Sequence, residues 1–204
     1  NMVYWERDNY SDNRVLIHAA KGFSPSRPAV LVLFFHGNGA TLTRDVARRQ
    51  EVPRQVDLSG LNAILVAPQF AYDALDSSPG KFWQSGAFTA FLQELDAHLI
   101  KTYGKKAAHN SHRMPIVIVA YSGGYVPTAW VLAHGEVNDR IAGIAVFDGL
   151  YGETAKFANW IKHHDRAFFF SAYGPSSKAG NEELRRLLGA RAPNVVDRLE
   201  GRSE

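Results

Sequence analysis

Apolar residues along this chain gather in short continuous runs, separated by stretches where they recur every three or four positions or give way to loops. The runs occupy residues 30–35, 63–67, 116–120, 141–147 and 167–172. Runs without alternation are expected of strands buried on both faces. Strands that alternate with helical stretches predict an α/β fold, a mostly parallel central sheet flanked by helices on both faces. Upstream, residues 3–5 and 15–18 read as antiparallel edge strands joined by a turn near Asn13.

Among the intervening stretches, Phe88, Phe91, Leu92, Leu95 and Leu99 share one helical face, and Gly104 ends that helix. A second helix is expected from near Pro127, a residue tolerated in a first turn, to Gly135. Residues 156–163 and 181–188 predict two more, the latter opened by Asn181 as an N-cap. Residues 68–86 make a long connection containing Asp73, Asp76, Ser77, Ser78, Pro79 and Gly80. Such a loop is either a site wall or lid, or a surface excursion. With no repeat, low-complexity tract or linker, residues 1–204 read as one domain.

Composition narrows the function. The 204 residues are 46% hydrophobic, enough for a sizeable core, and the formal charge is only +3. Arg44, Arg48, Arg49 and Arg54 fall at roughly helical spacing, which reads as a solvated face, so no nucleic-acid partner is expected. The absence of cysteine excludes disulfides and thiolate zinc sites. His109 and His112 form an H-x-x-H with no carboxylate close in sequence, a solvated loop rather than a metal site, and no metal or cofactor is expected. No apolar run reaches membrane-span length, and Asn9-Tyr10-Ser11 matches a glycosylation sequon too short to carry weight. The compartment stays open between the cytoplasm and export after signal removal.

The candidate chemistry lies in two glycine-rich turns. Ile116 to Tyr125 runs from a buried strand through Ala120-Tyr121-Ser122-Gly123-Gly124 into a helix. Small residues two positions either side of a serine let a strand turn sharply into a helix and expose the hydroxyl, the arrangement of a nucleophile elbow. Here the pattern is A-x-S-x-G, and the alternative is an ordinary glycine turn. An earlier strand ends in His36-Gly37-Asn38-Gly39. Acyl transfer needs a second oxyanion donor besides the N–H of Gly123, and a loop of this kind supplies one. Asn38 is the first choice, Gly39 the second, and His36 is expected to order the loop.

These segments, with Ala67-Pro68-Gln69 and Phe147-Asp148-Gly149-Leu150-Tyr151-Gly152, resemble the α/β-hydrolase superfamily from His36 through at least Tyr173. The resemblance implies a Ser–acid–His triad in that chain order and hydrolysis of an ester, amide or related acyl bond through an acyl-enzyme. It favours a carboxylic-ester hydrolase over a peptidase and a small-molecule acyl substrate. Asp148 is the candidate acid, because it directly follows the run 141–147 and the next run is followed by no carboxylate until Glu182. Its alternative is a turn aspartate. In the superfamily the histidine follows the last strand, yet the final histidines here, His163 and His164, precede the run 167–172 and read as a helix end. The catalytic histidine is therefore unassigned, and the chain is expected to be C-terminally incomplete. The rival reading is a non-catalytic binding protein on a degenerate scaffold.

Overall fold

A computed structural model describes residues 12–72, 78–104 and 112–189. The expected strand 3–5, the sequon at Asn9, the loop residues Asp73, Asp76 and Ser77, and His109 lie outside the described residues. The elements in chain order are β1 (Val15–Ala19), β2 (Val30–Phe35), α1 (Leu42–Arg49), α2 (Val52–Leu58), β3 (Ala63–Pro68) and α3 (Ala87–Tyr103). They continue as β4 (Ile116–Tyr121), α4 (Tyr125–His134), β5 (Ile141–Phe147), α5 (Thr154–His163), β6 (Phe168–Ala172) and α6 (Lys178–Leu188).

The strands form one sheet in the order β1-β3-β2-β4-β5-β6. Only β1 is antiparallel, against β3, and all other pairs are parallel. Residues alternate between the two faces of a strand, so β2 divides its side chains between two cores. Leu31, Leu33 and Phe35 face the larger core, built with α3, α4, α5 and α6, while Phe34 joins Leu42, Val46, Val52 and Val56 from α1 and α2. Helices therefore cover both faces.

Burial is complete along β3 but not further across the sheet. On β4, β5 and β6 the burial alternates, because α1 and α2 cover only the β1-β3-β2 side of their face. This corrects the expectation that every run is buried on both sides. Phe147, Phe168 and Phe170 stand 40%, 49% and 38% exposed there.

Three helix starts also differ from the sequence reading, α5 opening at Thr154 rather than at residue 156. Helix α4 begins at Tyr125, so Pro127 lies inside its first turn, where a proline's missing N–H costs no hydrogen bond. Helix α6 begins at Lys178, and Asn181 is a buried residue within it rather than its cap. Its side chain accepts from the Ser171 hydroxyl of β6 at 2.6 Å and donates to the Ser177 carbonyl at 2.8 Å. A tertiary hydrogen bond thus uses the oxygen that a cap would have turned to the backbone.

Candidate functional site

Strand β4 ends at Tyr121, and Ser122 to Gly124 make a tight helical turn that leads directly into α4. Ser122 has φ 49°, in the left-handed region. A non-glycine residue held there stores about 1–3 kcal/mol of strain and persists only when its surroundings over-determine it. The surroundings do so on two sides. A Cβ at Gly124 would stand 2.1 Å from the Phe35 carbonyl oxygen, so only glycine lets the end of β2 close on the turn. A Cβ at Gly37 would stand 3.1 Å from the Ser122 Cβ, which brings the loop after β2 against the serine itself. Ser122 is half-buried, and its hydroxyl has no hydrogen-bond partner among the described residues.

The loop after β2 is held from beneath by His36, only 3% exposed. The Phe70 N–H donates to His36 Nε2 at 2.9 Å, so Nε2 is the unprotonated nitrogen and Nδ1–H donates to the Gly37 carbonyl at 2.9 Å. Burial lowers the His36 pKa, which keeps the ring neutral. The buried Gln69 accepts from the Leu42 N–H at 2.9 Å and donates to the carbonyls of Ala40 and Phe70 at 3.0 and 2.8 Å. His36 and Gln69 therefore order the loop rather than exchange protons with a ligand. The Gly39 carbonyl is tied to Arg44 Nη2 at 2.7 Å, and Gly39 itself has φ 62°.

Asp148 follows β5 with φ 47°, and its N–H donates to the Ala172 carbonyl at 2.7 Å. Its carboxylate crosses to the loop after β6. Oδ1 accepts from the Ser177 hydroxyl at 2.6 Å and the Ser176 hydroxyl at 3.2 Å. The Ser177 hydroxyl, then the Gly174 N–H and the hydroxyls of Ser176 and Tyr151, hold the carboxyl below its ordinary pKa, against a partial desolvation that pushes the other way. Asp148 is brought near the serine turn through its neighbour. A Cβ at Gly149 would lie 3.1 Å from the Ser122 carbonyl oxygen.

The described histidines are engaged elsewhere. His18 meets Asp57 at 2.8 Å and His112 meets Asp96 at 2.7 Å. His163 and His164 bond to the carbonyls of Asn159 and Trp160, one turn back in α5, at 2.7 Å each. His98 bonds with Thr102, and His134 stacks on Trp130. None bonds to Ser122 or Asp148 among the described residues. No group of His, Asp and Glu able to hold a metal ion occurs among the described residues.

Between the two turns lies a cleft of about 200 Å³, counting the part open to solvent. His36, Gly37 and Asn38 line it from one turn, Gly123 and Pro127 from the other, with Phe70, Ala71 and Ser78 from the connection after β3. Asn38 and Gly123 thus share the cleft, whereas Gly39 is outside its lining. The sequence had offered Gln69 only as part of a strand end and Phe70 only as part of the long connection 68–86. A polar residue directly after a fully buried run was the available signal for Gln69. Ser177, the closest partner of Asp148, had no local signal at all.

A single antiparallel edge strand, four further parallel steps and Ser122 at the turn after the central β4 define an α/β-hydrolase-like fold. Among solved structures the chain is similar to a ferulic acid esterase, with 14% identity over 89% of this chain and 87% of that one, at a TM-score of 0.49. It is also similar to acetyl xylan esterase from Aspergillus awamori, with 16% identity over 72% and 50% of the two chains and a TM-score of 0.44. A third is S-formylglutathione hydrolase from Agrobacterium tumefaciens, with 15% identity over 88% and 66% and a TM-score of 0.45. The matched region spans half the length of the acetyl xylan esterase. No family model and no curated protein matches the sequence. No helix among the described residues is long and apolar enough to cross a membrane.

Proposed function

We propose that this protein is a serine hydrolase that cleaves an ester, amide or related acyl bond of a small molecule through an acyl-enzyme on Ser122. The carrying observation is the strained serine, φ 49°, fixed between a strand and a helix by the approach of Gly124 to Phe35. Strain of this kind is retained where geometry serves a reaction, and it sets Ser122 directly before Gly123, which lines the cleft. The backbone N–H groups of Gly123 and Asn38 are the proposed oxyanion donors, since both residues line the cleft. Gly39 remains the second choice. Fixed donors aimed at the developing oxyanion lower the barrier by about 3–4 kcal/mol each in enzymes of this kind.

Asp148 is the proposed acid of the triad. Its carboxylate, although borne after β5, is anchored in the loop after β6 by Ser177 and Gly174 and stays ionised. An ionised, oriented carboxylate can hold a histidine in the tautomer that accepts the serine proton. The histidine itself is unassigned.

Labelling with a fluorophosphonate tests the reading. Modification of Ser122, located by peptide mass and lost in Ser122→Ala, supports it. The engagement of every described histidine elsewhere favours a second reading, a binding protein on a hydrolase scaffold, and such a protein would remain unlabelled.

A further inference from the structure

The size and rigidity of the cleft bear on which acyl group it admits. Even with its open part included it spans only about 200 Å³, and Ser122 stands just outside its lining, one residue before Gly123. Apart from the two glycine turns, its apolar walls are Phe70, Ala71 and Pro127. Ala71 and Pro127 are buried, and Pro127 sits in the first turn of α4.

Phe70 is the bulkiest apolar wall among the described residues, and it has little freedom to move aside. Its ring packs edge-on to Phe35 at 5.3 Å and to Phe82 at 5.9 Å, with the His36 ring at 5.5 Å. Behind it Phe82 contacts Phe88 and Phe91 at 5.2 and 5.5 Å. Its backbone is held at both ends, the N–H by His36 and the carbonyl by Gln69. A close-packed aromatic cluster of this kind yields poorly to an extra methylene.

Resting on the assignment of Ser122 as nucleophile, we infer that the site takes short acyl groups, of acetyl to propionyl size, and that Phe70 sets the limit. Acylation forms a bond from Ser122 Oγ to the acyl carbon and breaks the bond from that carbon to the departing oxygen. The serine proton ends on the departing alcohol or phenol. Longer chains would meet the Phe70 ring before the carbonyl reached the donors.

The test uses the full chain with p-nitrophenyl acetate, butyrate and octanoate, following the acyl adduct on Ser122 by intact mass and peptide mapping, with Ser122→Ala as control. Acetate is expected to acylate Ser122 about 10-fold or more faster than butyrate, the discrimination one or two misplaced methylenes produce, and octanoate more slowly still. Phe70→Ala should bring the ratio toward one by opening the wall to Phe82. Phe70→Leu, a smaller loss to the core, should relax it in part. A native ratio near one, with adducts that depend on Ser122, overturns the inference and leaves the nucleophile in place. Failure of every ester to give a Ser122-dependent adduct overturns the nucleophile assignment, and the inference with it.

Discussion

Gly124 and Phe35 meet backbone to backbone, with the position of a Gly124 Cβ only 2.1 Å from the Phe35 carbonyl oxygen. That approach fixes the turn carrying Ser122 against the strand whose following loop lines the cleft. Because the obstacle is main chain, no rotamer change relieves it. Gly124→Ala is expected to cost about 3 kcal/mol, the upper part of the range for forced overpacking. Urea unfolding should show a lower midpoint with an unchanged slope. Labelling of Ser122 should fall even under conditions where the variant remains folded.

Asp148 and Ser177 are 29 residues apart in sequence, yet the hydroxyl donates to the carboxylate at 2.6 Å. The Asp148 carboxyl should titrate below the ordinary aspartate value of about 3.9. Its folded-state pKa is depressed, so the stability it contributes is present above the unfolded value and is lost as pH falls through the folded value. Carboxyl-carbon NMR on the native protein and on Ser177→Ala measures the effect, and the variant's midpoint should move up toward the ordinary value.

For His36 the same linkage applies with a base. Burial depresses its pKa, so the unfolded chain takes up a proton near pH 6.5 before the native state does. Stability should therefore be intact above that pH and decline as pH falls below it, levelling only once the folded-state pKa is passed. Urea midpoints between pH 7.5 and about 5.5 should fall less in His36→Gln, which keeps an acceptor for the Phe70 N–H without the titration.

Phe147 and Phe170 lie side by side on adjacent strands with ring centroids 5.7 Å apart, and both are partly exposed. Contiguous exposed apolar surface binds hydrophobic dyes and partners. Phe170→Ser should lower the fluorescence of bound anilinonaphthalene sulfonate at a stability cost of about 1 kcal/mol, because the ring is also partly buried against Phe147. Unchanged dye binding would show that this face does not present the surface described.

Much of the framework was legible from residues 30–35, 63–67, 116–120 and 141–147, because a continuous apolar run bounded by turn residues reports local structure through its own composition. The turn at Ser122 was equally local: a buried run, then two glycines, then a helix. Asn181 was misread because its surroundings in sequence match a cap, whereas its partner is Ser171 on a neighbouring strand.

The sequence by itself thus determined the main strands, the later helices to within a few residues and the serine-bearing turn, since these follow from backbone preferences acting over a few residues. Tertiary structure alone decided the order β1-β3-β2-β4-β5-β6, which places the Gly37 loop against Ser122. It also decided the reach of Asp148 to Ser177 and the seating of Phe70 against His36. Those contacts join residues about 30 to 85 positions apart, and their energies depend on distances that arise only once the sheet has assembled.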